Sequence, residues 1–381
     1  MGFVLHVVGA RPNFMKISPL MAALSRRGAA QRLVHTGQHF DDRMSGVFFE
    51  ELGLPRPDAD LGVGSGSHGE QTARTMIALE RLIAGADPRP SLVVVPGDVN
   101  STVAAALVAA KLKVPVAHLE AGLRSYDRTM PEEVNRVVTD HLSQLLLTPS
   151  PDADENLRRE GLLDRAVLVG NLMIDTLRAH LPRARALGVP RAMGLEPGRY
   201  AVVTLHRPSN VDEPEPLLRI LSALGRIARE LPVVFPVHPR TRARLADPAL
   251  AAAAASLRLV DPQGYLEFLS LTSSARLVLT DSGGLQEEST ALGVPCLTLR
   301  ENTERPITVS QGTNEVVGTD PERIVPAALR ALGAPRPPRC PALWDGKAGE
   351  RAADAVMSFL DDGLVTRDRL VAADREPAIS A

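Results

Sequence analysis

The chain has 381 residues, 44% of them hydrophobic, and this length exceeds that of one ordinary core, so we expect two domains. Its formal net charge of −2 gives no electrostatic reason to expect binding to nucleic acid or to an anionic membrane. Cys296 and Cys340 are the two cysteines, which argues against a disulfide framework and favours a reducing, cytoplasmic compartment. The first residues predict a strand and not a signal peptide, and no apolar run reaches the roughly 20 residues that span a bilayer.

Short apolar runs alternate with longer amphipathic stretches along the sequence. Ser18 and Pro19 predict a helix start, because a hydroxyl N-cap precedes proline at the first helical position, and Gly28 predicts the end of that helix. The predicted strands include 3–8, 92–95, 114–117, 201–205, 233–237 and 277–280, and the predicted helices include 20–27, 101–111 and 216–230. Apolar strands that alternate with helices are typical of a parallel sheet covered on both faces.

This alternation fills residues 1–170 and resumes near 200, so we predict a protein with two α/β domains. The stretch 181–200 is richer in proline, glycine and arginine and is interpreted as the bridge between them. The predicted domain bounds are 1–170 and 171–349. The polar segment 366–381 predicts a disordered tail.

Several predicted strands end directly in a polar or charged residue. The residues that follow them are Asp98, Glu120, His206, His238 and Asp281. In an open parallel sheet, ligands bind outside the carboxyl ends of the strands, so these side chains are expected at the ligand-binding edge. One such residue alone is more often an ordinary polar loop residue. Five of them, in both halves of the chain, favour a site shared by two domains.

Residues 281–288 combine a strand end, two glycines and the start of an amphipathic helix. Gly283 and Gly284 allow a ligand to approach the backbone, and the first N–H groups of a helix attract phosphate. Glu288, about one turn into that helix, can accept hydrogen bonds from ribose hydroxyls. The alternative is a glycine-rich turn with ordinary helix-dipole charge. No P-loop pattern is present, which disfavours an ATPase.

Arg11, Lys16 and Arg305 are candidate partners for phosphate, because a guanidinium contacts oxyanions in a bidentate manner and lysine acts as a point charge. Most other arginines are expected to be solvated surface charge. No spacing of Cys or His is typical of a metal site, so no metal is expected.

An acidic cluster at 131–136 opens another predicted helix. It is either ordinary charge at a helix N-terminus or a source of one more carboxylate beside the cleft. In the second case Glu132 joins Asp98 and Glu120 in one site. Crowded carboxylates disfavour one another's ionisation, which prepares one of them to transfer a proton near neutral pH.

The ordered set of motifs resembles one family, the non-hydrolysing UDP-N-acetylglucosamine 2-epimerases. The matching segments are 9–20 (GARPNFMKISPL), 36–39 (TGQH), 97–98 with 101–102, 118–124 (HLEAGLR), 131–136 (PEEVNR), 170–171 (GN), 205–207 (LHR), 236–238 (PVH), 281–288 (DSGGLQEE), 303–306 (TERP) and 312–313 (GT). Each motif alone is weak, but their order over about residues 3–320 is highly specific.

This resemblance implies an α/β, glycosyltransferase-B-like fold with two Rossmann-like domains facing a cleft. In this fold 171–349 binds UDP and a helix at about 350–365 returns to the first domain. It also implies a homodimer and no added cofactor. The implied reaction reversibly converts UDP-N-acetylglucosamine to UDP-N-acetylmannosamine. A base removes the C2 proton and UDP leaves C1 by anti-elimination. UDP then adds back to the bound 2-acetamidoglucal while a proton reaches the opposite face of C2.

The resemblance also implies roles for residues by position. Asp98, Glu120, Glu132 and His206 match the family's catalytic set, without separating the base from the acid. The matching substrate-binding set comprises Arg11, Lys16, Arg136, His238, Phe268, Ser282, Gly283, Gly284, Glu288 and Arg305. The backbone of Phe268 is expected to contact the uracil. His206 is expected to protonate or hydrogen-bond the leaving phosphate, because histidine can carry charge near neutral pH.

Two positions depart from the pattern of family members that a second UDP-N-acetylglucosamine activates. Asp41 stands where those members have a second glutamine, and Pro208 where they have a second arginine, so we do not expect activation by substrate. Segments 36–41, 44–45 and 68–69 also resemble a sister group that acts on UDP-diacetamido uronic acids. Segments 303–306 and 312–313 favour the N-acetylglucosamine enzymes.

Three other functions remain open at this level. A hydrolysing 2-epimerase would release UDP and free N-acetylmannosamine. A retaining glycosyltransferase would share the fold but would need a pocket for an acceptor. A sugar-nucleotide-binding module without catalysis predicts that at least one catalytic position is lost. The presence of Asp98, Glu120, Glu132 and His206 favours the epimerase.

Overall fold

The computed structural model describes residues 2–37, 52–333 and 339–362, except for the side chains at 11, 239, 240 and 362. Asp41 and the predicted tail at 366–381 lie outside the described residues. The chain divides into two compact units. One contains the residues up to Thr176 and again from Ala342, and the other comprises Leu177–Pro341, which includes the predicted bridge at 181–200.

The first unit is built on parallel strands. In the described part of the chain these are β1 (Val4–Val8), β2 (Gln31–His35), β3 (Ala59–Asp60), β4 (Leu92–Pro96), β5 (Val116–Leu119), β6 (Leu145–Thr148) and β7 (Ala166–Leu168). They form one sheet in the order β3-β2-β1-β4-β5-β6-β7. The helices are α1 (Arg11–Arg26), α2 (His68–Ala84), α3 (Asn100–Lys111), α4 (Pro131–Leu142), α5 (Pro151–Arg159) and α6 (Leu172–Ala186), with a 3₁₀ turn at Leu163–Arg165. The boundary between the units falls inside α6.

The second unit repeats this arrangement. Its described strands are β8 (Ala201–Thr204), β9 (Val233–Pro236), β10 (Arg258–Val260), β11 (Leu277–Thr280), β12 (Cys296–Thr298) and β13 (Asn314–Val316). They form a parallel sheet in the order β10-β9-β8-β11-β12-β13. Its helices are α7 (Val189–Ala192), α8 (Pro208–Val211), α9 (Pro214–Ile227), α10 (Pro239–Arg244), α11 (Pro248–Ala254), α12 (Tyr265–Thr272), α13 (Gly283–Leu292), α14 (Pro306–Ser310) and α15 (Pro321–Gly333).

Both sheets have the Rossmann strand order, in which the direction of strand addition reverses once. In the first sheet the reversal lies between β1 and β4, and in the second between β8 and β11. All five residues of β4 are buried, as expected for a strand with helices on both faces. The prediction of an α/β protein with two Rossmann-like sheets is confirmed. In such sheets, ligands bind beyond the carboxyl ends of the strands at the reversal point.

Helix α1 begins well before the predicted start at Ser18. Pro19 lies inside the helix, where it cannot donate to the carbonyl of Met15, four residues earlier. The Thr176 hydroxyl in α6 donates to that carbonyl instead, at 2.6 Å, so the helix continues past the proline. The predicted start is therefore wrong, because a long-range hydrogen bond satisfies the group that proline leaves free. Gly28 follows the end of the helix with a φ of +73°, as expected.

The last helix, α16 (Ala348–Asp362), belongs to the first unit and packs against α1. Arg27 Nε donates to Asp354 Oδ1 at 2.9 Å. A Cβ at Gly349 would lie 2.8 Å from Pro19, so glycine allows the two helices to approach closely. Among the helices described here, none has the length and apolar character required to cross a membrane.

Candidate active site

Strand β4 ends in a turn that carries Asp98. Gly97, the preceding residue, has a φ of +68°, in the left-handed region that favours glycine. A Cβ at Gly97 would lie 2.9 Å from Lys16 Nζ and 3.4 Å from Glu120 Oε2. Glycine therefore lets these two side chains reach the turn. The structure thus brings together predicted site residues from three separate segments of the first unit.

The side chain of Asp98 is held from α4. Arg136 Nε donates to Asp98 Oδ2 at 3.1 Å, and Arg136 Nη2 contacts the same oxygen. Asn135 Nδ2 donates to the Asp98 carbonyl at 2.9 Å. The Asp98 side chain is 23% exposed, whereas that of Arg136 is 4% exposed. A ligand can therefore reach the carboxylate while a buried guanidinium fixes its orientation.

Glu120 forms an ion pair with Lys16 of α1. Glu120 follows β5 with a φ of +69°, which is unusual for a residue other than glycine. Such backbone strain costs free energy and is concentrated at functional sites. The backbone N–H of Gly97 donates to the Leu119 carbonyl at 3.0 Å, which aligns the ends of β4 and β5. This geometry presents the Glu120 carboxylate beside the turn that carries Asp98.

The two adjacent glutamates at the start of α4 have different surroundings. The buried Glu133 accepts hydrogen bonds from the backbone N–H groups of Ser125 and Tyr126, both at 2.9 Å. It also pairs with Arg136 at 2.7 Å, so it anchors the loop before α4. Glu132 is half-buried, and its carboxylate has no hydrogen-bond or ion-pair partner within the described ranges. Glu132 is therefore the carboxylate of this pair that a substrate could engage.

Beneath the turn lies a buried network that sequence reasoning missed. His118 Nε2 donates to the Gly97 carbonyl at 2.7 Å, and His118 Nδ1 donates to Asp140 Oδ1 at 2.6 Å. Both ring nitrogens therefore face hydrogen-bond acceptors. Arg124 Nη1 lies 2.7 Å from the other oxygen of Asp140. The network fixes the carbonyl that immediately precedes Asp98.

Electrostatics keep Asp140 ionised in this network. Burial alone raises the pKa of its carboxyl, but the positive charges of His118 and Arg124 outweigh burial, so the pKa is lowered. The sequence signal for this network is a histidine inside the otherwise apolar strand β5. The motif 118–124 contains it, but spacing alone does not show which carboxylate it meets.

In the second unit, His206 and Asp281 meet beyond the ends of β8 and β11. The buried Asp281 accepts hydrogen bonds from the backbone N–H groups of His206 and Arg207, at 3.1 and 3.0 Å, and from Asn210 Nδ2 at 3.1 Å. His206 Nδ1 lies 3.0 Å from Asp281 Oδ1, and 45% of the histidine side chain is exposed. Burial raises the pKa of Asp281, but the hydrogen bonds and charge of His206 outweigh it and lower the pKa. The dyad leaves His206 Nε2 turned away from Asp281.

Glu304, in the predicted motif 303–306, lies in a cluster of arginines. Arg300 Nη1 donates to Glu304 Oε2 at 2.8 Å, and Arg207 Nη2 donates to Oε1 at 3.2 Å. Burial raises the pKa of this carboxyl, but the charges of Arg305, Arg300 and Arg207 lower it to about 2. The ionised Glu304 therefore links the loop that carries Arg207 to the loop before α14.

This shift predicts an acid-sensitive contribution to stability. The pKa of Glu304 falls from an ordinary value of 4.5 to about 2 on folding. Its ionisation therefore stabilises the folded protein above about pH 4.5, and this contribution disappears as the pH falls toward 2. Between these limits, the free energy of unfolding should fall by about 3 kcal/mol more in the wild type than in Glu304→Gln. Urea unfolding at several pH values measures this difference. Equal pH dependence of the two proteins would contradict it, and the exposed Glu230→Gln is the control.

Helix α13 begins with the segment predicted to bind phosphate. Ser282 is the N-cap residue, and Gly283 and Gly284 form the first positions of the helix. The first turn contains no acidic residue, and the Ser282 side chain does not cap it. A Cβ at Gly283 would have no described atom within 4 Å, so the chain's own packing does not require glycine there. Open N–H groups and the positive end of the helix dipole make this position suited to an anion.

Two predicted nucleotide contacts lie on α12 and α13. The buried Glu288 lies close enough to the Tyr265 hydroxyl to affect its ionisation. Burial and the charge of Glu288 raise the pKa of Tyr265, so the hydroxyl remains a donor. Phe268 lies in α12, where its backbone N–H already donates to the Gly264 carbonyl at 2.9 Å. Its side chain packs against the core of the unit.

The remaining predicted substrate-binding residues lie in separate parts of the structure. Arg305 is buried, and its Nε lies 2.9 Å from Glu287 Oε1. His238 follows β9 and is exposed. Arg11 begins α1, but its side chain lies outside the described residues.

Nearly the whole chain is similar to known proteins. The family model for UDP-N-acetylglucosamine 2-epimerase matches residues 22–357. The UDP-N-acetylglucosamine 2-epimerase of Methanocaldococcus jannaschii is 43% identical over 354 residues, which cover 91% of this chain and 96% of that protein. The UDP-2,3-diacetamido-2,3-dideoxy-D-glucuronate 2-epimerase of Pseudomonas aeruginosa is 42% identical over 335 residues, 87% of this chain and 92% of that protein.

Solved structures agree with these sequence matches. The crystal structure of the Methanocaldococcus jannaschii UDP-GlcNAc 2-epimerase in complex with UDP-GlcNAc and UDP superposes with a TM-score of 0.84 at 41% identity. The match covers 94% of this chain and 99% of that one. The UDP-GlcNAc 2-epimerase of Neisseria meningitidis, bound to UDP-GlcNAc, gives a TM-score of 0.82 at 30% identity, over 94% of this chain and 99% of that one.

Two Rossmann-like sheets, a carboxylate-lined turn and an open helix N-terminus define a protein of the nucleotide-sugar enzyme class. The chain belongs to the UDP-N-acetylglucosamine 2-epimerase family, so the predicted family resemblance is confirmed.

Proposed function

We propose that this protein interconverts UDP-N-acetylglucosamine and UDP-N-acetylmannosamine by inverting carbon 2. The observation that carries the proposal is the placement of Asp98 and Glu120 beside one turn, with Glu132 unpaired in the described structure at the start of α4. Inversion of a carbon that bears hydrogen needs a base on one face and an acid on the other, and carboxyl groups serve as both. UDP-GlcNAc bound to the structurally similar relative supports the choice of substrate.

The proposed route couples removal of the C2 proton to departure of UDP, because that proton is not acidic in an intact sugar. A carboxylate takes the proton, the C2–H electron pair forms the C1–C2 double bond, and the C1–O pair leaves with UDP. UDP then adds back to C1 while a carboxyl group protonates the other face of C2. The overall reaction is redox-neutral and returns the proton, so it needs no added cofactor. The acid and base roles fall to Asp98, Glu120 and Glu132.

The second unit is proposed to hold UDP throughout the reaction, since loss of the intermediate would end the turnover. The open N–H groups at Gly283 and Gly284 suit the diphosphate, and Glu288 suits the ribose hydroxyls. Nδ1 of His206 is already paired with Asp281, so we assign to Nε2 the hydrogen bond or proton transfer to the leaving phosphate oxygen. This division gives the first unit the proton transfers and the second unit the leaving group.

The test is NMR of the purified protein with UDP-N-acetylglucosamine in D₂O. We expect UDP-N-acetylmannosamine to appear, with deuterium at C2 of both epimers, because each elimination exchanges that proton with solvent. Release of free UDP and free N-acetylmannosamine would instead identify a hydrolysing enzyme. An unchanged substrate would contradict the proposal.

A second candidate substrate is a UDP-diacetamido uronic acid. The 42% identity to the Pseudomonas aeruginosa glucuronate enzyme favours it almost as strongly as the 43% identity to the Methanocaldococcus enzyme favours UDP-N-acetylglucosamine. The same experiment with both nucleotides decides between them. The substrate with the larger kcat/KM is the one that the site recognises.

We also infer a homodimer and a cytoplasmic location. Ile77 of α2 and Val134 of α4 are 52% and 46% exposed in the first unit, and Tyr126 is 67% exposed. Exposed apolar side chains on one unit support association with a second copy. The cytoplasmic inference rests on the low cysteine content and on the location of sugar-nucleotide substrates.

A further inference from the structure

The side-chain oxygen of Asn171 caps the N-terminus of α6. Its Oδ1 accepts a hydrogen bond from the backbone N–H of Met173 at 2.9 Å, which is the contact of an N-cap residue. The residue is 4% exposed. Its Nδ2 is buried and has no hydrogen-bond partner in the described parts of the chain. The amide therefore presents two unused donors from a fixed position.

Asn171 lines a small cavity within the first unit. The lining residues are Lys16, Leu119, Glu120, Pro149, Gly170, Asn171 and Leu172. Since Oδ1 is committed to the helix, Nδ2 is the polar atom of Asn171 left to face this cavity. Lys16 and Glu120, the ion pair beside the catalytic turn, line the same space. The unused donors thus adjoin the proposed site of proton transfer.

The backbone before Asn171 is constrained to this placement. Gly170 has a φ of +89°, and a Cβ there would lie 2.2 Å from the Leu343 carbonyl. Gly170 N also donates to the Thr148 carbonyl at 3.3 Å, which ties the turn to the end of β6. The position of the Asn171 amide is therefore set by close packing and not by a freely moving loop.

Helix capping alone does not explain an asparagine here. Aspartate caps helices about as well and, as a carboxylate, would leave no buried donor without an acceptor. A buried polar group without a partner is costly, so its retention points to an acceptor from outside the chain. We propose that Asn171 is a substrate-binding residue whose Nδ2 donates a hydrogen bond to an oxygen of the sugar, either a hydroxyl or the acetamido carbonyl. This inference rests on the proposed function.

The test compares Asn171→Ser and Asn171→Asp with the wild type. Both variants keep an N-cap acceptor and remove the amide donor, so the midpoint of urea unfolding should stay close to that of the wild type. We expect kcat/KM for UDP-N-acetylglucosamine to fall at least tenfold in both variants, with a larger loss in Asn171→Asp, because it adds a negative charge beside Glu120. Affinity for UDP alone should not change, since the contact is to the sugar. Unchanged kcat/KM in a stable Asn171→Ser would overturn the inference.

Two further measurements separate the possible failures. A wild-type protein that neither binds nor converts UDP-N-acetylglucosamine overturns the proposed function together with this inference. A wild-type protein that converts it as fast as Asn171→Ser overturns this inference alone. Calorimetric binding of UDP-glucose, which lacks the acetamido group, then identifies the oxygen. Weaker binding of both sugars by the variant assigns a hydroxyl, and weaker binding of UDP-N-acetylglucosamine alone assigns the acetamido carbonyl.

Discussion

Asp98→Asn is expected to lower kcat for epimerisation by about 1000-fold while leaving the affinity for UDP unchanged. Asparagine has nearly the same shape as aspartate, so its carbonyl oxygen can still accept from Arg136, and Asn135 can still bond the main-chain carbonyl. What disappears is the carboxylate, which can take up or return a proton. Deuterium incorporation at C2 and calorimetric titration with UDP measure the two halves of the expectation.

The matched control is Asp164→Asn, an identical change at an exposed position on the 3₁₀ turn of the same unit. It should leave kcat, UDP affinity and stability unchanged. Wild-type rates in Asp98→Asn would remove Asp98 from the mechanism. A parallel loss of turnover and UDP affinity would show instead that Asp98 acts through the general integrity of the site.

The part of this site that the sequence predicts is its location at the ends of strands. A buried parallel strand is recognised in the sequence as a short apolar run. The first polar residue after the run then lies at the carboxyl edge of the sheet. Asp98, Glu120, His206 and Asp281 were found in this way, and each follows the end of its strand in the structure. Neighbouring strands then bring the four residues into two groups, one in each unit.

Partners across segments could not be predicted in this way, because nothing local specifies them. The ion pair between Lys16 and Glu120 joins residues 104 positions apart. The distinction between Glu132 and Glu133 depends on a loop whose N–H groups select Glu133, which the helix pattern alone does not reveal. The predicted start of α1 failed for the same reason, since the group that compensates Pro19 comes from distant α6.

The fold also explains why buried charged side chains support the segments that carry the candidate catalytic residues. The segments that follow β4 and β8 are fixed by side chains from other parts of their units. In the first unit, His118 and Asp140 fix the Gly97 carbonyl from below. In the second unit, Asp281 accepts hydrogen bonds from the backbone N–H groups of His206 and Arg207. Each buried carboxylate thus holds a loop in one conformation and fixes the position of the side chain that the loop carries.

Asp281→Asn should therefore lower both stability and turnover. The carboxylate accepts from two backbone N–H groups, from Asn210 and from His206 Nδ1, all of which are donors. An amide must turn its NH₂ group toward at least one of them and also removes the buried negative charge. We expect the free energy of unfolding to fall by about 3 kcal/mol and kcat by about 100-fold. Urea unfolding and initial rates measure these changes.

Asp247→Asn provides the matched control, because asparagine caps a helix as well as aspartate and Asp247 caps α11 at an exposed position. It should change neither quantity. The two readouts of Asp281→Asn also separate two roles of the dyad. A loss of stability with full kcat would make Asp281 a purely structural acceptor. It would also show that turnover does not depend on the orientation of His206 by Asp281. A loss of kcat at retained stability would place the main function of Asp281 in fixing the tautomer of His206, and hence in the departure of UDP.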